Sequence, residues 1–199
     1  MKISNQTIQQ AYNYDSYKEH VDTLMKQGKS TGPIQNEELL HFTQLNSHRM
    51  KRVEHTTVLS DELKNMLSQI RDPQTWLVIT EGWCGDGAQQ VPVFDLIAKE
   101  CSKITFKLIL RDENLEVMDC FLTNGSRSIP KLLILNAQNN EVLETWGPRP
   151  YEAIKLINEM KEAHLEKTVW KEKLHLWYAK NKGMALQAEL AEIIKRIIS

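Results

Sequence analysis

Residues 75–80, Thr-Trp-Leu-Val-Ile-Thr, form a short continuous apolar run, and a second run, ITFKLIL, occupies 104–110. The first suits a strand buried on both faces; the second alternates and opens with β-branched residues, which also suits a strand. Between them lies CGDGAQQVPVFDLIAKEC, 84–101, which reads as a helix opening at its glycines and kinked by Pro92. A strand, a helix and a strand in that order imply parallel pairing through a right-handed crossover. The chain must therefore build an α/β domain around this unit.

The residues that follow extend the unit. RDENLEVMDCFLTNG, 111–125, is a turn and a short helix ending at Asn124-Gly125. PKLLILN, 130–136, is a third strand and EVLETWG, 141–147, a fourth; the polar Asn136–Asn140 turn makes this pair an antiparallel hairpin. RPYEAIKLINEMKEAH, 149–164, is a further helix. The order is βαβαββα, a mixed sheet flanked by helices.

Helices also precede and follow this core. DSYKEHVDTLMKQG, NEELLHFTQLNSHRMKRVEH and SDELKNMLSQI each carry an apolar stripe, the last with Ser60 as its N-cap. The tail, 165–199, reads as two helices broken near Lys182-Gly183. The expected division is a helical extension at 1–72, the α/β domain at 73–165 and a second helical extension at 166–199. The apolar stripes must bury against the domain, each other or a second copy, so an oligomer built through the flanking helices is one expectation.

Composition narrows the partners. The net charge is -1 and no stretch is strongly basic, so no nucleic-acid footprint is expected. The polar N-terminus lacks the apolar segment of a signal peptide, and no apolar run approaches the ~20 residues of a membrane span. The expectation is a soluble cytoplasmic protein with no membrane partner. Three widely spaced cysteines, Cys84, Cys101 and Cys120, match neither a disulfide framework nor a zinc pattern, and the six histidines lack metal-site spacing. No metal and no cofactor is expected.

At EGWCGDGAQQVP, 81–92, the chain resembles thioredoxin. Trp83, Cys84 and Gly85 match the family's Trp-Cys-Gly-Pro-Cys motif, with Asp86 in place of the proline and Gly87 in place of the second cysteine. Pro92 keeps the register of the family's helix proline. SRSIPKLLIL is similar to the segment that holds the family's cis-proline, which makes Pro130 its counterpart. EGWCGDGAQ, RDEN, TNGSRSIPK and WGPRP together resemble a bacterial group within the thioredoxin family that carries helices before and after the domain; for it the resemblance implies no particular reaction. What the resemblance implies is a thioredoxin-like fold and a site at Cys84, flanked by Trp83, Gly85, Asp86 and Gly87. The backbone of Ile129 before Pro130 would offer an edge for an extended peptide. Trp83, Pro130 and Trp146 would wall that groove, with Arg127 and Arg149 bringing positive charge, or else pairing with surface acids.

The chemistry of such a site turns on the thiolate. The helix start favours an anion at Cys84 by about 0.3–1 kcal/mol. Asp86 opposes it as a like charge, unless its carboxylate is taken up by backbone N–H groups at the helix start. Dithiol exchange needs a second sulfur to resolve the mixed disulfide, and Gly87 has none. The family's buried aspartate, six residues before its first cysteine, falls here on Val78. Cys101, at the far end of the helix, reads as a buried structural thiol, and Cys120 has no clear route to the site. Two readings stay open. In one, Cys84 is a monothiol oxidoreductase that acts on a low-molecular-weight thiol adduct or a protein disulfide and is resolved by an external thiol such as glutathione or bacillithiol. In the other, the domain is redox-silent and uses the cis-proline groove to bind a peptide or protein partner.

Overall fold

A computed structural model describes all 199 residues. In chain order the elements are α1 (Asn5–Gln10), α2 (Tyr14–Lys26), α3 (Glu37–Thr56), α4 (Asp61–Ser68), β1 (Gln74–Thr80), α5 (Gly87–Glu100), β2 (Ile104–Leu110), α6 (Leu115–Met118), β3 (Lys131–Asn136), β4 (Val142–Trp146), α7 (Tyr151–Glu162), α8 (Lys167–Asn181) and α9 (Met184–Ile198). The sheet order is β2-β1-β3-β4. β1 pairs in parallel with β2, and β3 runs antiparallel to both β1 and β4. This is a thioredoxin-like mixed sheet with additional helices at both ends.

Every residue of β1 is buried, as a continuous apolar run between two neighbours requires. Alternation along the strands then sorts the core into two faces. Trp76, Val78, Leu108, Leu110, Leu132 and Ile134 face the main core, where they meet Phe94 and Ile97 of α5. Leu77, Ile79, Ile109, Leu133 and Leu135 face a second cluster that holds Cys84 and Ile129. α5 runs through Pro92 without interruption.

Local signals account for the helix ends. Ser60 accepts from the Leu63 N–H, Asn36 accepts from the Leu39 N–H, and Asn13 and Ser16 form a reciprocal capping box. Lys182 and Gly183, both left-handed, separate α8 from α9.

Two placements differ from the sequence reading. α7 was expected to close the α/β domain, but its apolar residues Ala153, Ile157 and Met160 pack on Leu174 and Tyr178 of α8 in a small cluster of their own. The helix that joins α5 on the sheet is α9, through Leu186, Leu190, Ile193 and Ile194. The main core thus contains residues from before 73 and after 165, with α3 lying along α5 and α4 along α9. The second difference is the N-terminus. Ile3 and Ala11 pack in the second cluster, Ile3 donates to the Asn140 carbonyl, and Tyr12 exchanges backbone hydrogen bonds with Leu108 at 2.8 and 2.9 Å. The segment crosses one face of the sheet and pairs at both of its margins, which covers otherwise open strand edges. No helix is long and apolar enough to cross a membrane.

Candidate functional site

The turn between β1 and α5 is held from below by the N-terminal helices. Glu81 is buried, and burial lifts its carboxyl to about 7. Its oxygens accept from the Thr31 hydroxyl and, at 2.9 Å, from the Asp112 N–H. Thr31 in turn accepts from the Gly82 N–H at 2.9 Å, and Asn46 of α3 donates to the Gly82 carbonyl at 3.0 Å. Trp83 lies under the Arg111 guanidinium, 4.8 Å from the ring centroid.

Cys84 is only 6% exposed. Its Sγ donates to the Ile129 carbonyl at 3.4 Å and accepts from the Gly87 N–H at 3.3 Å. Burial and the nearby Asp86 charge push the thiol up to about 12, against the smaller opposing pulls of the Gly87 N–H and Arg149. The carboxylate of Asp86 makes no hydrogen bond to the helix start, contrary to one sequence expectation. Instead Arg149 donates to it at 2.5 Å and Tyr178 of α8 at 2.8 Å. Arg149, for which the sequence left groove charge and pairing with an acid both open, is engaged by Asp86.

Position 87 is closed to a side chain. A Cβ there would lie 2.5 Å from Thr80 Oγ1 and 3.4 Å from Cys84 Sγ. Thr80 is fully buried and its hydroxyl has no hydrogen-bond partner. Val78, in register between Leu108 and Leu132, is equally buried in the main core. The structure offers no second sulfur and no acid where the family's dithiol cycle uses them.

The Ile129–Pro130 bond is cis. The edge it would present is closed: Ile129 is 8% exposed, Pro130 is buried, and the Ile129 carbonyl is taken by Cys84. Trp146 does not wall this groove. It belongs to the main core, its ring 5.8 Å from Phe94 and its indole N–H donated to Glu189. Arg127 stands on the surface in a two-bond pair with Asp119 at 2.6 and 2.8 Å. Of the residues singled out in the sequence, the structure brings together Trp83, Cys84, Gly85, Asp86, Gly87, Ile129, Pro130 and Arg149, and leaves Trp146 and Arg127 apart. Cys101 is buried against the Leu67 carbonyl, and Cys120 is exposed.

The C-terminal helices supply partners that the sequence reading missed. Gln90 donates to the Tyr178 hydroxyl at 3.0 Å and to the Pro148 carbonyl at 3.1 Å. His175 of α8 faces Gly85, where a Cβ would come within 3.1 Å of its ring. Burial, and then the charges of Arg49, Arg52, Lys171 and Arg149, push its pKa down to about 4. No local pattern marks these residues, because each acts across nearly sixty to ninety positions of sequence.

The raised thiol pKa has a measurable sign. A folded-state value above the unfolded one contributes stability that is intact below about pH 9 and is lost as pH rises toward 12. Above pH 9 the wild-type chain should lose up to ~1.4 kcal/mol per pH unit more than Cys84→Ala. Denaturant titrations of both proteins at pH 8, 9 and 10 measure that difference.

The comparisons agree with this fold. A family model described as Thioredoxin matches residues 32–161. Among solved structures, the chain is similar to a Pseudomonas aeruginosa protein of unknown function, with 14% identity and a TM-score of 0.57 over 100% of this chain and 96% of the other. It is also similar to an HIV epitope scaffold, with 15% identity and a TM-score of 0.52 over 89% of this chain and 94% of that one. These two likenesses concern the fold alone. No curated protein matches the chain.

Proposed function

Because this chain belongs to the thioredoxin family, its model covering well over half the length, we propose that it uses the fold as a redox-silent binding scaffold. The observation that carries this reading is the sealed thiol. Disulfide exchange requires a Cys84 thiolate to attack a substrate disulfide, form the mixed disulfide and expel a substrate thiolate. A second thiolate must then attack Cys84 Sγ and release the substrate. Cys84 is buried and held protonated, position 87 has no room for the resolving sulfur, and the cis-proline edge is closed. The residues at the place of the family's motif serve here as a structural clasp: Asp86 joins α5 to Arg149 and α8, and Cys84 joins the turn to Ile129.

Reduction of a protein disulfide with dithiothreitol as electron donor tests the reading. The wild-type chain should accelerate the reaction no more than Cys84→Ser does. Turnover that depends on Cys84 would contradict it.

One observation favours a second reading. The α7–α8 pair has its own apolar cluster, and residues with positive φ bound it: Gly147 on one side, Lys182 and Gly183 on the other. Outward movement of this pair would release Asp86 from Tyr178 and uncover the turn at Gly85; on this reading the loosened turn exposes Cys84 as a monothiol, with an external thiol as resolver. The same assay with glutathione as donor separates the two: Cys84-dependent turnover belongs to the opened monothiol alone.

A further inference from the structure

The N-terminal and C-terminal helices meet beside the Cys84 turn in an open cleft of about 430 Å³, lined by Leu45, His48, Arg49, Arg52, His175 and Leu176. Neither Arg49 nor Arg52 takes part in any of the molecule's ion pairs. Arg49 donates only to the Asn46 side chain, at 2.9 Å, and Arg52 only to Gln89 Oε1, at 3.0 Å. Asp86, whose charge acts on Arg49, is already held by Arg149 and Tyr178. Two guanidinium charges are therefore gathered without a counter-charge of their own, which costs free energy that a bound anion would recover.

A third donor is set by the same network. With its carbonyl accepting from Arg52, the Gln89 amide turns its Nε2 toward His175 Nδ1, 3.2 Å away. Nδ1 must then accept, so the neutral ring carries its proton on Nε2. That N–H has no hydrogen-bond partner in the structure. Gly85 makes the arrangement fit: a Cβ there would lie 3.1 Å from His175 Cε1 and 3.5 Å from Arg49 Nη1. Lys171, on α8, adds a further positive charge that acts on His175, its amine lying over the Phe42 ring.

We propose that this cleft binds a phosphate monoester dianion. Two fixed positive charges match the dianion, and guanidinium forks suit its oxygens better than a point charge does. The His175 Nε2–H donates to a further oxygen. Leu45 and Leu176, both exposed, border the cleft where the organic part of the ester would lie. The assignment deepens the binding-scaffold reading, to which it gives a ligand class.

The test is a titration of the full chain with inorganic phosphate and with butyl phosphate at constant ionic strength, chloride serving as control. Calorimetry reads the heat, and proton resonances read the His175 ring. Saturable binding is expected, weakened at least tenfold in Arg49→Gln and in Arg52→Gln and unchanged in Arg71→Gln. Tighter binding of butyl phosphate supports an ester ligand; equal binding supports free phosphate at the same donors. A response that chloride reproduces, or both glutamine variants binding like the wild type, overturns the proposal. Should a variant fail to fold, the wild-type resonances decide: phosphate-induced shifts centred on Arg49, Arg52 and His175 support the site, and shifts centred elsewhere overturn it. No phosphate binding with an inert Cys84 removes this site and keeps the redox-silent reading. Phosphate binding with Cys84-dependent turnover keeps this site and removes that reading.

Discussion

Gly87→Cys, which restores the second cysteine of the family motif, should destabilise the protein and should not make it a disulfide reductase. A Cβ at 87 lies 2.5 Å from Thr80 Oγ1, inside any tolerable contact. Thr80 is fully buried at the end of β1 and cannot swing away into solvent. Overpacking of this kind costs about 1–3 kcal/mol. The cost should couple to Thr80. In Thr80→Ala the obstructing hydroxyl is gone, so the double variant should recover at least ~1 kcal/mol relative to the sum of the single changes. Chemical denaturation of the four proteins in the cycle gives that number. The double variant should still lack turnover, since Cys84 remains buried and Val78 supplies no proton acceptor. A single Gly87→Cys variant as stable as the wild type, with Cys84-dependent activity, would show that the site is not closed as described.

Asp86→Asn should have the largest effect on the thiol itself. The aspartate charge is the second cause of the raised Cys84 pKa, after burial, and it also occupies Arg149. Removing it subtracts a repulsion and frees the pull of the guanidinium, and both changes favour the thiolate. The Cys84 pKa should fall, and its alkylation at neutral pH should quicken at least tenfold. Stability should drop by about 2–4 kcal/mol, because a largely buried guanidinium loses its carboxylate and Tyr178 loses its acceptor. Tyr178→Phe is the control: it removes one hydrogen bond, worth about 1 kcal/mol, and leaves both charges in place. It should soften the α8 contact without a comparable fall in thiol pKa. Equal alkylation in the two variants would mean that loosening of α8, not charge, governs Cys84.

The strands and most helices were legible because their signals are local. TWLVIT and ITFKLIL are apolar runs bounded by turn residues, and they form β1 and β2 over nearly those residues. Ser60 caps α4 through a bond three residues long, and Lys182-Gly183 breaks the tail by backbone conformation alone. The roles of the helices were less legible. α7 and α9 both carry an apolar stripe, and nothing in either stripe says which will lie on the sheet. α1 was unmarked, since it is only six residues long and none of them is fully buried. At the site, the places of Cys84, Gly87 and Pro130 came from the resemblance to the thioredoxin motif. The fate of Asp86 could not, because its partners come from Arg149 and from Tyr178 on a helix far along the chain. The steric role of Thr80 was hidden for the same reason: a hydroxyl at the end of a strand shows no sign that it fills the space of a missing side chain.

The most direct test of the sealed site is the pH dependence of Cys84 alkylation in the folded wild-type chain, with exposed Cys120 as an internal reference and Cys84→Ser to assign the signal. Cys84 should react far more slowly than Cys120 at neutral pH and should show no titration midpoint below about pH 10, in keeping with a thiol held near 12. A midpoint at or below the free-thiol value of ~8.5, with a rate matching that of Cys120, would contradict the account.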